Sequence, residues 1–309
     1  MVDGLKLVDA NVPAIICEPC ARSKAAEKSF PKEHTTPRIT EYGGCIHSDV
    51  WGQVPVKSQG GCEYMLTFMD KHTCEVTIYF MAKKLDMFKA YKMFEVWVSV
   101  HWNAKIKILC TDRSGEFVSK AFQKHLDENS TVCKLTVHHS PSQNSVSECL
   151  NKTLILHSCT CFIETDLPGY LWAEAFQYTV WTKNRTPTCT LKNKTPLEMV
   201  TGIKPDLCNI HTWGTKGYIR VEGCSKLEPQ ADPAFFIDHD TQSKGYCMYW
   251  PNKHTVSTEW NVQWMDCGPT QLEGEKLTSV KTLQGLGMLD VSMVLWVQEF
   301  SDSMVLWFR

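Results

Sequence analysis

Two hydrophobic rhythms alternate along the middle of the chain. Short β-rich runs come first, at Cys45–Val50, Glu63–Met69 and Cys74–Phe80. Asp70-Lys71-His72-Thr73 between the second and third reads as a hairpin turn. The period then changes. In Leu85–His101, Met87, Tyr91, Phe94 and Val98 recur at steps of four and three, which is one face of a helix. Lys105–Cys110 reads as a buried strand, Ser119–Asn129 as a helix with Ser119 as its N-cap, and Val132–Val137 as a fifth strand. A further helix is expected from Ser145 as N-cap. Another opens at Pro168 and runs to about Lys183, with Tyr170, Trp172, Phe176, Tyr178 and Trp181 as core packing. This order of elements predicts an α/β fold, a mixed five-stranded sheet with helices on both faces.

The rest of the chain has other textures. Residues 188–210 form a Thr/Lys/Pro-rich connector. In residues 211–266, short strands at Gly217–Val221, Ala234–Ile237, Gly245–Tyr249 and Val256–Gln263 are punctuated by Gly, Pro, Asn and Asp, the pattern of a small β-barrel. Residues 1–40 read as an irregular arm and residues 267–309 as an atypical tail. In the tail, Ser292-Met293-Val294-Leu295-Trp296 recurs at Ser303–Trp307. Two copies are too few for a repeat architecture.

Composition narrows the classes. The 309 residues suffice for one large domain or two modest ones, and 43% hydrophobic with 21% charged is ordinary for a globular protein. A net charge of −2 lacks the strongly basic balance of many nucleic-acid binders, so such binding would rest on local patches. The most cationic stretch holds Arg22, Lys24, Lys28, Lys32 and Arg38, diluted by Glu27 and Glu33. It reads equally as a solvated linker or a phosphate-contacting arm. Met1–Ala10 holds no secretory apolar core, so most of the fifteen cysteines are expected to be reduced, in an intracellular compartment. Cys110, Cys159 and Cys161 sit in apolar runs as small hydrophobes. No uninterrupted apolar stretch of about 18 residues occurs, so no membrane span is expected.

Three carboxylates carry the candidate chemistry. Asp49 lies in His47-Ser48-Asp49-Val50-Trp51-Gly52, Asp112 in Thr111-Asp112-Arg113-Ser114-Gly115-Glu116-Phe117, and Glu148 in Gln143-Asn144-Ser145-Val146-Ser147-Glu148. The element reading puts two of them at strand ends and Glu148 near a helix start. Three converging acids suit a pair of Mg²⁺ ions, which take oxygen ligands and clamp the attacking and leaving oxygens of a phosphoryl displacement. Separate solvent-exposed carboxylates are the plainer alternative. Lys152, one turn after Glu148, reads either as a cation aimed at a DNA phosphate or as the partner of an intrahelical ion pair.

From Cys17 to Asp266 the chain resembles the integrases of copia-type LTR retrotransposons, part of the DDE superfamily. The resemblance rests on Cys17-Glu18-Pro19-Cys20, His47-Ser48-Asp49-Val50, Tyr64–Asp70, Leu171-Trp172-Ala173-Glu174-Ala175, Asn184-Arg185-Thr186-Pro187, Lys194-Thr195-Pro196 and Thr201-Gly202-Ile203-Lys204-Pro205, in that order. It implies a ribonuclease H-like catalytic core at 41–187 and an SH3-like barrel at 211–266, from a fragment of a Pol polyprotein. The implied activity is metal-dependent processing of DNA 3′ ends and strand transfer. Asp49, Asp112 and Glu148 would hold Mg²⁺ or Mn²⁺, and Gln143 and Asn144, on a mobile loop, would touch DNA. The implied partners are element-end and target DNA and a homo-oligomer, and the implied location is the nucleus. Cys17 and Cys20 match half of a zinc module whose histidines lie upstream in the family. No histidine precedes Cys17, so little or no zinc is expected there.

The chain also departs from the family. Arg113 and Ser114 replace Asn and Gly after Asp112, so a cation stands beside that ligand and competes with metal for it. Ser145 replaces a loop glycine, and Cys149 and Leu150 replace basic residues. These departures mark a partly degenerate copy. The alternative reading is a decayed or domesticated nucleic-acid- or protein-binding domain on the same fold.

Overall fold

The computed structural model describes residues 39–112, 114–135, 141–221, 229–240 and 243–265, with only the backbone of 141–145. Cys17, Cys20, Arg113 and the tail lie outside the described residues. Five strands, β1 (Ile46–Trp51), β2 (Tyr64–Asp70), β3 (Val76–Met81), β4 (Ile108–Thr111) and β5 (Val132–Leu135), form a sheet in the order β3-β2-β1-β4-β5. The β1–β2 and β2–β3 pairs are antiparallel, and the β1–β4 and β4–β5 pairs are parallel. This is the mixed ribonuclease H-like sheet expected from the sequence. The β2–β3 turn is held by Asp70, whose carboxylate accepts hydrogen bonds from the backbone N–H groups of Gly43, His72 and Thr73 and from the Thr73 hydroxyl.

Among the described residues, five α-helices accompany the sheet: α1 (Met87–Trp102), α2 (Lys120–Glu128), α3 (Pro141–Thr165), α4 (Trp172–Arg185) and α5 (Pro196–Thr201). Helix α1 buries Met87, Tyr91, Phe94 and Val98, the face that the periodicity marks. Ser119 caps α2, its hydroxyl accepting from the Phe122 N–H at 3.4 Å.

Strand alternation sends neighbouring side chains to opposite faces. Ile46, Leu66, Phe68 and Leu109 pack with α1 and α2, while Trp51, Met65, Val76 and Ile78 pack with α3 and α4. Trp172 and Phe176 are fully buried in this second layer and half-buried Tyr170 and Tyr178 pack against it, while Trp181 stacks on His239 instead.

Several boundaries differ from the sequence reading. Strand β1 continues to Trp51, which places Asp49 inside a six-pair ladder with β2 rather than at a strand end. Helix α3 begins at Pro141, so Ser145 is not its N-cap and Glu148 lies two turns in. Proline suits a first helical turn because its missing N–H has no intrahelical acceptor there anyway. A 3-10 turn at Gly169–Leu171 precedes α4, and the 188–210 connector contains α5, capped by Thr195, whose hydroxyl accepts from the Glu198 N–H at 3.0 Å.

Five further strands, β6 (Lys216–Arg220), β7 (Ala231–His239), β8 (Tyr246–Trp250), β9 (Thr255–Glu259) and β10 (Val262–Trp264), form an antiparallel sheet in the order β10-β6-β7-β8-β9. The single run expected at Val256–Gln263 is therefore two strands, broken at exposed Trp260. This sheet shares a core with the first domain: Trp213, Ile237 and Tyr249 pack with residues of α3 and α4.

Candidate metal and nucleic-acid site

Asp49 sits on the β1 face that looks toward α3. One carboxylate oxygen accepts from the Val50 N–H at 3.0 Å and the other from Asn151 Nδ2 at 2.8 Å. Across the ladder, Thr67 pairs with Asp49. Its Oγ1 lies 3.2 Å from the Asp49 carbonyl oxygen and 3.3 Å from Asn151 Oδ1. Strand β1, strand β2 and helix α3 are thus joined at one point.

Asp112 follows β4 directly, as expected. Its carboxylate accepts from the Ser114 N–H at 3.2 Å, and the Thr111 hydroxyl donates to its carbonyl at 3.1 Å. Glu148 is exposed on α3, three residues before Asn151 and so on a neighbouring position of one helix face.

Asp112 and Glu148 both act electrostatically on Asp49. The Asp49 carboxyl is pushed up to about 6, first by burial, then by the negative charge of Asp112, and further by that of Glu148. The Val50 N–H and the Asn151 amide pull it partly back. Like charges that resist ionising together are the condition a bound cation relieves. The donor set is carboxylate oxygen, which fits a hard divalent ion such as Mg²⁺.

Gln143 and Asn144 fall in the first turn of α3, not in a loop before it, and their side chains lie outside the described ones. Lys152 is exposed four residues after Glu148. Leu150 is only 5% exposed, packed against the sheet, so a basic residue at that place would point into the core. Asn151 was missed in the sequence reading. Its one signal is a polar side chain three residues beyond Glu148 on a helix whose adjacent position is apolar.

Residues 40–141 match the family described as Integrase core domain, which covers Asp49 and Asp112 and stops before Glu148. Residues 215–272 match the family described as Retroviral polymerase SH3-like domain. The chain carries an integrase core domain followed by a retroviral polymerase SH3-like domain. This integrase-type chain is 26% identical over 242 residues to the Retrovirus-related Pol polyprotein from transposon TNT 1-94 of Nicotiana tabacum, covering 78% of the chain and 18% of that protein. It is 25% identical over 252 residues to the Pol polyprotein from transposon RE2 of Arabidopsis thaliana, covering 80% of the chain and 17% of that protein. It therefore spans less than a fifth of either relative. Among solved structures, a chain of the simian T-cell lymphotropic virus intasome in complex with PP2A regulatory subunit B56 gamma is similar, with 15% identity and a TM-score of 0.46 over 77% of this chain and 81% of that one. The HTLV-2 integrase catalytic core domain in complex with magnesium is 16% identical with a TM-score of 0.39, over 51% of this chain and 96% of that one.

Proposed function

We propose that this integrase-type chain is a metal-dependent polynucleotidyl transferase that processes DNA 3′ ends and joins them to target DNA. The observation that supports the reading is that the charges of Asp112, after β4, and of Glu148, on α3, both act on the Asp49 carboxyl in β1. These three carboxylates would hold Mg²⁺ or Mn²⁺. When bound, such an ion pair neutralises charge at the attacking and leaving oxygens of an in-line displacement. The chain's own part is positioning: Asn151 fixes the Asp49 carboxylate, and the Asp112 turn is closed by the Ser114 N–H. Neither cleavage nor joining requires a protein nucleophile. Gln143, Asn144 and Lys152 lie along the same helix and would meet the DNA backbone. The partners on this reading are element-end and target DNA and further copies of the chain, in the nucleus.

A strand-transfer assay with Mn²⁺ on a short DNA end tests the reading. Joined product is expected from the starting chain and none from Asp112→Asn, which keeps shape but removes ligand charge. Arg113→Asn with Ser114→Gly is expected to raise turnover by removing the cation beside Asp112. The second reading, a binding module without catalysis, is favoured by the absence of basic residues at Cys149 and Leu150 and by the net charge of −2. It gains if all three proteins are inert while DNA binding persists.

A further inference from the structure

Alternation along the central strands builds a second cluster one step below the acids. Cys45, His47 and Asp49 occupy alternate positions along β1 and the residue preceding it, and Cys110 and Asp112 do the same at β4. His47 pairs with Cys110 in the parallel β1–β4 register. Cys45 Sγ lies 3.3 Å from Cys110 Sγ and 4.0 Å from His47 Nε2, and one ligand atom from each of the three residues lies within 4.8 Å of the others. A tetrahedral zinc ion, with Zn–S of about 2.3 Å and Zn–N of about 2.0–2.1 Å, sets its ligand atoms roughly 3.4–3.8 Å apart. The S–S separation is about half an ångström shorter, and the S–N separation about half an ångström longer, than that geometry, so small side-chain rotations would close the site. Cys45 and His47 are 4% and 9% exposed, while Cys110 is half-buried and gives access.

We propose that Cys45, His47 and Cys110 form a binding site for a thiophilic divalent cation, zinc above all, with a fourth position left to water. Metal binding releases the thiol protons of Cys45 and Cys110 to solvent and leaves two thiolates and a neutral imidazole as ligands. The soft site and the acidic site sort metals by ligand type: thiolate selects zinc, and carboxylate selects magnesium.

The site has a mechanical use. The β1–β4 ladder holds two residue pairs, against six for β1–β2. Asp49 and Asp112 lie just beyond its end, where no further pairing fixes the strand separation. A metal bridging Cys45 and His47 to Cys110 clips the two strands immediately beneath the acids. This role needs neither DNA nor catalytic competence.

The 309-residue chain, reduced and stripped with chelator, is titrated with Co²⁺ alone and followed by absorption. A thiolate-to-cobalt charge-transfer band saturating at one equivalent, and bleached by Zn²⁺, is expected. It should persist in Cys17→Ser with Cys20→Ser and in Asp112→Asn, and vanish in Cys110→Ser. His47→Gln keeps both thiols and should weaken cobalt binding by at least about tenfold. Zinc should also shield the accessible Cys110 from alkylation, a readout that uses the unsubstituted protein and so survives any misfolding of the variants. No charge-transfer band, a band that depends on Cys17 and Cys20 instead, or equal alkylation of Cys110 with and without zinc overturns the proposal.

Discussion

Asn151 donates its side-chain N–H to Asp49 over 2.8 Å, and this contact ties helix α3 to strand β1 beside the acids. A carboxylate only accepts, so the amide nitrogen must face Asp49 and the amide oxygen must face Thr67. Three residues of helix amount to about 4.5 Å of rise, so fixing Asn151 also fixes where Glu148 stands. Asn151 is therefore a positioning residue for two acids at once.

Replacing it should separate orientation from charge. Asn151→Ala removes one hydrogen bond to an ionisable group and is expected to cost about 1.5–3 kcal/mol. Asn151→Asp puts a third negative charge against Asp49 and should cost more at neutral pH, with Mn²⁺ restoring part of the loss. Melting temperatures with and without Mn²⁺ decide the matter. An Asp variant as stable as the starting chain without metal would contradict the electrostatic account.

Asp49 itself should show a conflict between stability and metal binding. Its burial beside two like charges disfavours ionisation, so Asp49→Asn is expected to stabilise the metal-free protein by about 1 kcal/mol. The same change should abolish stabilisation by Mg²⁺, which for an intact site reaches about 2.7 kcal/mol at a hundred times the dissociation constant. Denaturant midpoints across a magnesium series provide the comparison. A magnesium effect that survives in the Asn variant would place the ion elsewhere.

The first sheet was legible because its signals are local. Met87, Tyr91, Phe94 and Val98 announce α1, and Ser119 announces its successor through a hydroxyl that caps the helix. The start of α3 was not legible, since Pro141 reads as a breaker unless it happens to occupy a first turn. Strands β9 and β10 were merged because apolar alternation continues through the reversal at Trp260 and Asn261. The acids were legible by motif, but Asn151 was not, because what defines it is a partner 102 positions away. Cys110 was read as a small hydrophobe from its apolar run. Its neighbour Cys45 lies 65 residues away in sequence, a proximity that only the parallel β1–β4 pairing creates.

Glu75 gives the fold a pH dependence away from the candidate site. Its carboxyl is pushed up to about 7, first by burial, while the Tyr42 hydroxyl donating to it at 2.6 Å pulls it back and Asp70 adds to the rise. Between about 4.5 and 7 the unfolded chain has lost this proton and the folded chain retains it. The contribution is thus fully present below that window and is lost as pH rises through it. Glu75→Gln should flatten the slope by about 1–3 kcal/mol between pH 5 and pH 8. Urea midpoints at the two values test this, and an unchanged slope in the Gln variant would rule Glu75 out as its source.

The two sheets should unfold as one unit. Trp213, 1% exposed, leads into β6 and packs edge-on against Phe162 of α3 with ring centroids 5.1 Å apart. Gly214 follows in the left-handed region at φ +81°, and its N–H donates to the Phe236 carbonyl at 2.6 Å. A Cβ at Gly214 would overlap the Thr165 side chain at the end of α3. The Tyr170 and Tyr249 hydroxyls meet at 2.6 Å on another part of the same boundary. Trp213→Ala should cost about 3–5 kcal/mol, the usual range for emptying a buried aromatic site. Gly214→Ala should cost more than 1 kcal/mol, because the new methyl meets both an unfavourable φ and a filled space. If the boundary couples the domains, either change lowers the midpoint of a single transition seen alike by far-ultraviolet circular dichroism and by tryptophan fluorescence. Two separated transitions in the unsubstituted protein, with Trp213→Ala shifting only the one that reports the second sheet, would mean that the shared core does not transmit stability between them.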